Sequence, residues 1–529
     1  MAIAPLTLPK NYWETFQIED EDLEFLYNYL LEIEMPQTPQ ELLRSLIKER
    51  IRIETEKLQK QLEDKGSIYL PQEQYQIGQT LKFSALAWET GTVQSIRPGN
   101  NPEYPPFQVI EVKMESGQIR QFAAGLANHA LNSPIQIETS DPLLNIQHVL
   151  KVYGKDLLAQ LTDILEQSSD LVQIAGRWFP RALLVDVNIG YLNLAEAVLE
   201  MENGGPLTTQ TILSQIELPT DVNPKLTEFS FNLALQEDGR FDEVGAAGEI
   251  LWFLHRLEPE SVQSQPQWLN YTPISYETAP IQNLLQSIDI ETFDEIEPSN
   301  QCCEEEVQQV TVTLIYPHWR SGTLPLTNRL AHLFPTAYQS PRIKFTFVDG
   351  ETGQKFPGWV VRPYRYVYGL REWYMANNVL TGSMIHIRRT AIPGEILIEA
   401  NKKRPTRDWV RTALVGTDGG VVFTMLKQQI ATTLDERMGF VIPNYEGLDL
   451  TWEQSRKITL EQLVLQLMRE LGKLNPQGNV HAQELYAAVN IMRRCPPGPI
   501  LSLLTHRPWA THLGDLYFQL QEESREFTT

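Results

Sequence analysis

A chain of 529 residues with 42% hydrophobic and 21% charged residues is too long for one hydrophobic core, and roughly three to five folded domains are expected. It carries 67 Asp/Glu against 44 Lys/Arg, a net charge of −23, which excludes a protein whose whole surface coats nucleic acid. The 3 cysteines, adjacent at Cys302 and Cys303 and alone at Cys495, exclude a disulfide framework and a four-cysteine zinc site and fit a reducing cytoplasm. No apolar run reaches membrane-spanning length, and the first residues lack a basic region followed by an apolar core. Neither a membrane span nor a secretory signal is therefore expected. The 9 histidines are scattered without HExxH, so neither a metal nor a cofactor is expected.

Residues 1–66 read as a helical module. Leu23, Leu26 and Leu30, then Leu42, Leu43, Leu46 and Ile47, recur at helical spacing around a break at Met35-Pro36, and Thr38-Pro39-Gln40-Glu41 marks a helix start. The continuation to Gly66 alternates in charge and reads as a solvated helix.

Over 67–135 the period changes to two. Thr80–Phe83, Thr92–Ile96, Phe107–Val112 and Ile119–Phe122 read as short strands separated by Gly91, by Pro98-Gly99-Asn100-Asn101-Pro102 and by Ser116-Gly117. With its Gly91-Thr92-Val93 entry and Val112–Gly117 hairpin, the segment resembles an SH3-like or Tudor-like barrel. Within it, Glu111-Val112-Lys113 matches half of a metal-dependent nuclease site, in which carboxylates hold the cation and a lysine orients water; a solvated strand face is the plainer reading.

Residues 142–260 order as helix, short apolar strand, helices and hairpin. The run Leu235-Gln236-Glu237-Asp238-Gly239-Arg240-Phe241, followed by Gly245 and Trp252, resembles the HARE-type winged helix of the delta subunit of bacterial RNA polymerase. That resemblance implies that Phe241 and Trp252 pin the wing strands to the helices. Glu228, Glu237 and Asp238 make the third helix acidic, which suits a protein contact better than DNA reading. Residues 261–306 follow as an acidic linker. From Glu258 to Glu306 there are eleven acids and no Lys or Arg, with prolines interspersed, a composition able to mask a basic neighbour.

That neighbour is 307–415, with fifteen Lys/Arg against six Asp/Glu, a local charge of +9 within the −23 chain. Such segregation, interleaved with Trp359, Tyr364, Tyr366, Tyr368, Trp373 and Tyr374, is the footprint of a polyanion-binding module. Leu324-Pro325, the strand ending Asp349-Gly350, Trp359, Gly369 to Trp373, and Asn378-Val379-Leu380 before Gly382 together resemble the B3 family of pseudobarrel DNA-binding domains. Ser383 stands where that family usually has Asp. The resemblance implies major-groove recognition, with Arg320, Arg342, Lys344, Arg362, Arg365, Arg371, Arg388, Arg389, Lys402, Lys403, Arg404 and Arg407 as candidate DNA-binding residues.

Residues 416–457 read as a connector and 458–522 as a second winged helix, a diverged duplicate in which His481 caps a helix with Glu484 three residues on. The sequence thus predicts a multidomain α+β protein of winged-helix modules and two small β-barrels. The expected function is that of a cytoplasmic, nucleoid-associated, non-enzymatic bacterial factor binding double-stranded DNA and a protein partner such as RNA polymerase. A restriction-type nuclease or its recognition subunit, and an acidic adaptor for a basic protein, are the alternatives.

Overall fold

The structure, a computed structural model, describes residues 8–64, 67–83, 86, 89–101, 104–132, 141–216, 218, 223–292, 294–296, 308–416 and 420–521. It is a mixed α+β chain in two compact units, Met1–Leu184 with Val222–Leu226 and Val185–Asp221 with Thr227–Thr529. Among the described residues no helix is long and apolar enough to cross a membrane.

The first unit opens with α1 (Asp20–Ile33) and α2 (Pro39–Asp64). The start of α2 lies where the sequence places it. Thr38 Oγ1 accepts from the Glu41 N–H at 3.2 Å while Glu41 Oε2 accepts from the Thr38 N–H at 2.8 Å, a reciprocal cap. Leu26, Leu30, Leu42, Leu43, Leu46 and Ile47 are buried, and Arg50 of α2 ion-pairs with the buried Asp22 of α1. Five strands follow, β1 (Ser67–Ile68), β2 (Thr80–Phe83), β3 (Glu89–Pro98), β4 (Gln108–Met114) and β5 (Ile119–Ala124), paired in sequence order. Tyr69, Tyr75, Leu81, Phe83, Val93, Ile110, Val112 and Met114 form their core. Then come α3 (Ile146–Gln167), β6 (Leu171–Ile174) and β7 (Arg177–Pro180). The backbone of Gln37, between α1 and α2, bonds in both directions to Trp178 of β7 at 3.1 and 2.7 Å. One helical module is therefore assembled from α1, α2, α3 and the hairpin, with the five-stranded sheet inserted between its second and third helices.

The second unit begins with three helices and a hairpin as well, here with a short strand after the first helix: α4 (Ile189–Met201), β8 (Leu207–Thr208), α5 (Thr209–Ile216), α6 (Pro224–Glu237, in this unit from Thr227), β9 (Phe241–Glu243) and β10 (Leu251–Leu254). The last strand, β10, lies between β8 and β9. Phe241 and Trp252 both sit in the core with Leu192, Leu199, Ile212, Phe231 and Leu235. The Trp252 indole N–H reaches Thr209 Oγ1 at 3.1 Å and Asn232 Oδ1 at 3.0 Å, which holds the hairpin against the helices.

The acidic stretch is folded in its described part. It contains α7 (Glu260–Gln263) and α8 (Gln282–Thr292) and contributes Trp268, Ile281 and Ile288 to the main core. Of its described acids, Glu258, Asp294 and Glu295 are buried.

The basic segment supplies β11 (Gln309–Thr313), α9 (Tyr316–Ser321), β12 (Thr323–Pro325), α10 (Asn328–Ala331), β13 (Arg342–Asp349), β14 (Lys355–Val361), β15 (Tyr366–Tyr368), α11 (Arg371–Ala376), β16 (Met384–Arg389) and β17 (Glu395–Ala400). Its strands form one curled seven-stranded sheet in the order β11-β16-β17-β13-β14-β15-β12, with β13 and β17 parallel. Asp349 fastens the turn after β13 by accepting from the N–H groups of Glu351 and Thr352 at 2.9 and 2.8 Å, and it accepts from the Trp373 indole at 2.5 Å. Ser383 is fully buried; its Oγ accepts from the Leu380 N–H at 2.9 Å and lies 2.9 Å from Thr432 Oγ1.

Thr432 ends a long antiparallel ribbon, β18 (Lys402–Val415) and β19 (Val421–Thr432). After α12 (Leu448–Ser455), the chain closes with α13 (Leu460–Gly472), β20 (Asn479–His481), α14 (Ala482–Met492), α15 (Pro497–His506), β21 (Ala510–Gly514) and β22 (Tyr517–Leu520). Again the last strand, β22, lies between the first, β20, and the second, β21.

Candidate nucleic-acid interface

The twelve candidate cations separate by what already surrounds them. Arg342 ion-pairs with Asp242, lies 3.6 Å from Glu258 and donates to the Val262 carbonyl at 3.0 Å. Lys344 has its ammonium 4.3 Å from the Phe253 ring centre and 5.5 Å from that of Trp359, where burial lowers its pKa. Arg371 donates to the carbonyls of Trp319 and Arg320 at 3.2 Å, with its guanidinium 5.1 Å from the Trp319 ring centre; burial, then repulsion from Arg320, lowers its pKa. Arg320 packs 5.3 Å from Trp268 and 5.0 Å from Tyr445, 3.6 Å from Asp449. These four hold elements of the second unit together through charge and aromatic faces.

The other eight keep at least part of the head toward solvent. Arg362, Arg388, Arg389, Lys402, Arg404 and Arg407 are exposed; Arg365 and Lys403 are half-buried. They fall at two ends of the sheet. Arg362 and Arg365 lie in the turn after β14, whose end pairs with the start of β13, and Arg388 and Arg389 end β16. Lys402, Lys403, Arg404 and Arg407 lie past the opposite end of β17, whose 6 residues span roughly 20 Å. Arg362 donates to the Ser340 carbonyl at 2.9 Å, Arg365 to Asn328 Oδ1 at 3.2 Å and Arg389 to the Leu333 carbonyl at 3.2 Å. Lys402 pairs with Glu351, and Lys403 with Asp408 at 2.6 Å.

The second group belongs to the ribbon, which is fixed at both ends. Near its turn Ala413, Val421 and Phe423 enter the main core, and the Ala413 N–H donates to the Val441 carbonyl at 2.9 Å. At the other end are Thr432 and Ser383. Between these anchors one face carries Arg407 opposite Gln429, Trp409 opposite Lys427 and Arg411 opposite Met425. Trp409 is 62% exposed and the Lys427 ammonium lies 5.4 Å from its ring centre. Neither Trp409 nor Lys427 stands out in the linear sequence, although the Arg407-x-Trp409-x-Arg411 alternation is the strand signal that could have placed them on one face. Arg411 differs from its neighbours in being ion-paired to Glu484 and bonded to the Glu436 carbonyl.

No family model, curated protein or solved structure matches this chain.

Two further sequence features take definite places. Glu111 accepts from Ser95 Oγ at 2.7 Å and from Gln121 Nε2 at 2.8 Å, bonds that lower its pKa; Lys113, on the same face of β4, is exposed. His481 is buried and caps α14, its Nδ1 accepting from the Gln483 N–H at 3.2 Å, and burial pushes its pKa down to about 4. The Glu484 expected to complete that cap is the partner of Arg411 instead.

Asp242, His255 and Glu258 bring one potential ligand atom each to within 4.8 Å of one another, the arrangement among the described residues with metal-ligating chemistry. The Arg342 guanidinium pairs with both carboxylates there, so the positive charge a cation would supply is already present. Glu258 is nonetheless pushed up to about 8 by burial and by the neighbouring Asp242 charge.

Proposed function

We propose that this chain is a non-enzymatic bacterial factor that binds double-stranded DNA through the outward cations of the 307–432 region and a protein partner through its helical modules. The observation that carries the reading is the sorting of the cations. In a −23 chain, six of the twelve candidates are exposed on the seven-stranded sheet, its turns and its ribbon, with Arg365 and Lys403 half-buried beside them, while Arg320, Arg342, Lys344 and Arg371, also half-buried, are held against acids, carbonyls and aromatic rings within the fold. Outward Arg and Lys heads are what phosphate contacts need.

Seven strands in one curled sheet, with Asp349 tied to Trp373 across the turn, support the B3-like assignment. Helix, strand, helix, helix and hairpin, with the last strand in the middle of the sheet, support winged-helix modules at 189–254 and 460–520. The split module of α1, α2, α3 and β6-β7 has the same helices and hairpin, with the Gln37–Trp178 bridge in place of the short strand, and supports a third. The sheet inserted in it, with its single core, supports the SH3-like or Tudor-like reading. The acids of α6, Glu228 and the exposed Glu237, favour a protein partner such as RNA polymerase over DNA for the 189–254 module.

Gel shift of the full chain on random-sequence duplex at low salt tests the reading. A retarded complex is expected, weakened when Arg388, Arg389, Arg404 and Arg407 are all changed to Ala; equal retardation of the two proteins, or none, would overturn it.

A further inference from the structure

Trp409 is an exception to how this chain uses tryptophan. Of the ten described tryptophans, nine are buried, at 8% exposure or less, whereas Trp409 is 62% exposed. Hydrophobic atoms at the surface are ordinary, but a whole indole held in water is not, because its burial is among the largest single gains a side chain can make.

Its setting is also unlike that of a stray surface residue. Trp409 stands in the middle of a ribbon anchored at one end by Ala413 and Phe423 in the core and at the other by Thr432 beside Ser383. Its two strands pair without a register break from Thr406 to Val415. The ring is therefore presented from a fixed backbone, so little ordering entropy opposes binding there. The groups sharing its face are mostly long and cationic or polar: Lys427 opposite it, Arg407 two residues before it with Gln429 opposite, and Arg411, ion-paired to Glu484, two residues after it with Met425 opposite. Arg407, Lys427 and Gln429 are all exposed. The face contains neither Asp nor Glu at these positions, since Asp408 points to the other side with Gln428.

An aromatic ring flanked by cations on a β-surface is the combination that binds single-stranded nucleic acid. The ring stacks on an unpaired base and the cations hold the phosphates on either side. A membrane surface or a protein groove would ask for a continuous apolar area around the indole, and here the one exposed apolar neighbour on its face is Met425, 38% exposed, set among Arg407, Lys427 and Arg411. A base inside a duplex offers no free π-face to a strand, so the ligand is an unpaired one.

We infer that the face of the β18–β19 ribbon bearing Trp409, Arg407 and Lys427 is a base-stacking platform for single-stranded nucleic acid. The inference rests on the reading that this region binds nucleic acid, and it adds a second, structure-selective mode to duplex binding. The chain would hold a site where strands are parted, its duplex contacts made by the outward cations and one displaced base resting on Trp409.

The test uses the full chain and fluorescence anisotropy with three labelled probes of equal length: an oligothymidylate, the same strand with abasic sites in place of its central bases, and a duplex. Trp409→Ala is expected to weaken oligothymidylate binding by roughly ten-fold, within the range of about five-fold to hundred-fold for loss of one stacked base. Trp409→Phe should retain most of the affinity. The abasic strand should bind the unaltered protein about as weakly as oligothymidylate binds Trp409→Ala, and should be indifferent to the substitution. Duplex binding should be unchanged by Trp409→Ala, which also shows that the variant is folded. Equal oligothymidylate affinity for the unaltered protein and Trp409→Ala, with duplex binding intact, overturns the platform and leaves the duplex reading standing. Absence of binding to all three probes overturns the duplex reading itself. Trp409-dependent binding to phosphatidylcholine vesicles, or Trp409-dependent self-association, with no effect on oligothymidylate would likewise overturn the platform.

Discussion

Arg494 and Asp294, 200 residues apart in sequence, meet as a two-pronged ion pair with no exposed surface, Nη1 to Oδ2 and Nη2 to Oδ1 both at 2.9 Å. Tyr486 donates to the same Asp294 at 2.6 Å, Glu295 accepts from Arg494 as well at 2.9 Å, and His318 lies 3.0 Å from Glu295. The network ties the acidic stretch to α14 and α9. Removing one partner of such a set leaves buried charge uncompensated, at about 3–5 kcal/mol. Arg494→Met is expected to lower the denaturant midpoint of the second unit accordingly; an unchanged midpoint would show the network to be neutral.

The same cluster sets an acid limit. Burial alone would raise Glu295, but Arg494 and then His318 hold it well below the usual carboxylate range. A carboxyl depressed in the fold contributes stability above its unfolded value, near 4.3, and loses it as pH falls through the folded value. His481 acts in the same direction: its folded pKa of about 4 lies below the unfolded value, so stability present above about 6.5 is lost as pH falls toward 4. Thermal melts from pH 7 to pH 4 should show a falling midpoint, and His481→Asn, which keeps a capping side chain, should flatten the decline.

Glu258 carries the opposite dependence. Its pKa is raised to about 8, by burial first and then by Asp242, and neither carboxylate oxygen has a hydrogen-bond partner. A group raised in the fold stabilises it below the unfolded value and loses that contribution as pH rises through the folded one. Glu258→Gln should therefore melt higher than the unaltered protein at pH 8.5, with the difference shrinking toward pH 5. A lower melting point at pH 8.5 would show that the pair with Arg342 dominates.

Asn232 serves two donors at once, the Trp252 indole at 3.0 Å and the Thr209 hydroxyl at 2.6 Å, all buried. Asn232→Ala leaves both without their shared acceptor and is expected to cost about 1–3 kcal/mol. Tryptophan emission monitored through urea unfolding measures it.

Gly382 joins the seven-stranded sheet to the chain after the ribbon. Its φ is +84°, and an added Cβ would lie 2.4 Å from Gly439 Cα and 2.6 Å from the Gly439 nitrogen. Gly382→Ala meets both strain and backbone, so a loss of at least about 1–3 kcal/mol is expected by calorimetry.

What was legible in the sequence was local. Thr38 and Glu41 form their cap, the strand at 108–114 carries the expected period of two, and Phe241 and Trp252 enter one core. Long-range pairing was not legible. The acids at 294 and 295 look like part of a solvated tether until Arg494 is brought to them. The first helical module hides because a whole sheet separates α2 from α3, and the assembly shows in Gln37 meeting Trp178 and in Arg177 meeting Pro36 and Glu41. Among the cations, Arg342 and Arg404 are equivalent as letters. What separates them is Asp242 and Glu258, which arrive from about a hundred residues upstream of Arg342.

The central claim is that outward cations bind nucleic-acid phosphates, and the salt dependence of duplex affinity tests it most directly. The logarithm of the binding constant should fall linearly with the logarithm of salt concentration. Replacing Arg404 and Arg407 with Ala should make the slope shallower by about 0.9 for each phosphate that is no longer neutralised. A slope near zero, or one that the two substitutions leave unchanged along with the affinity, would contradict the account.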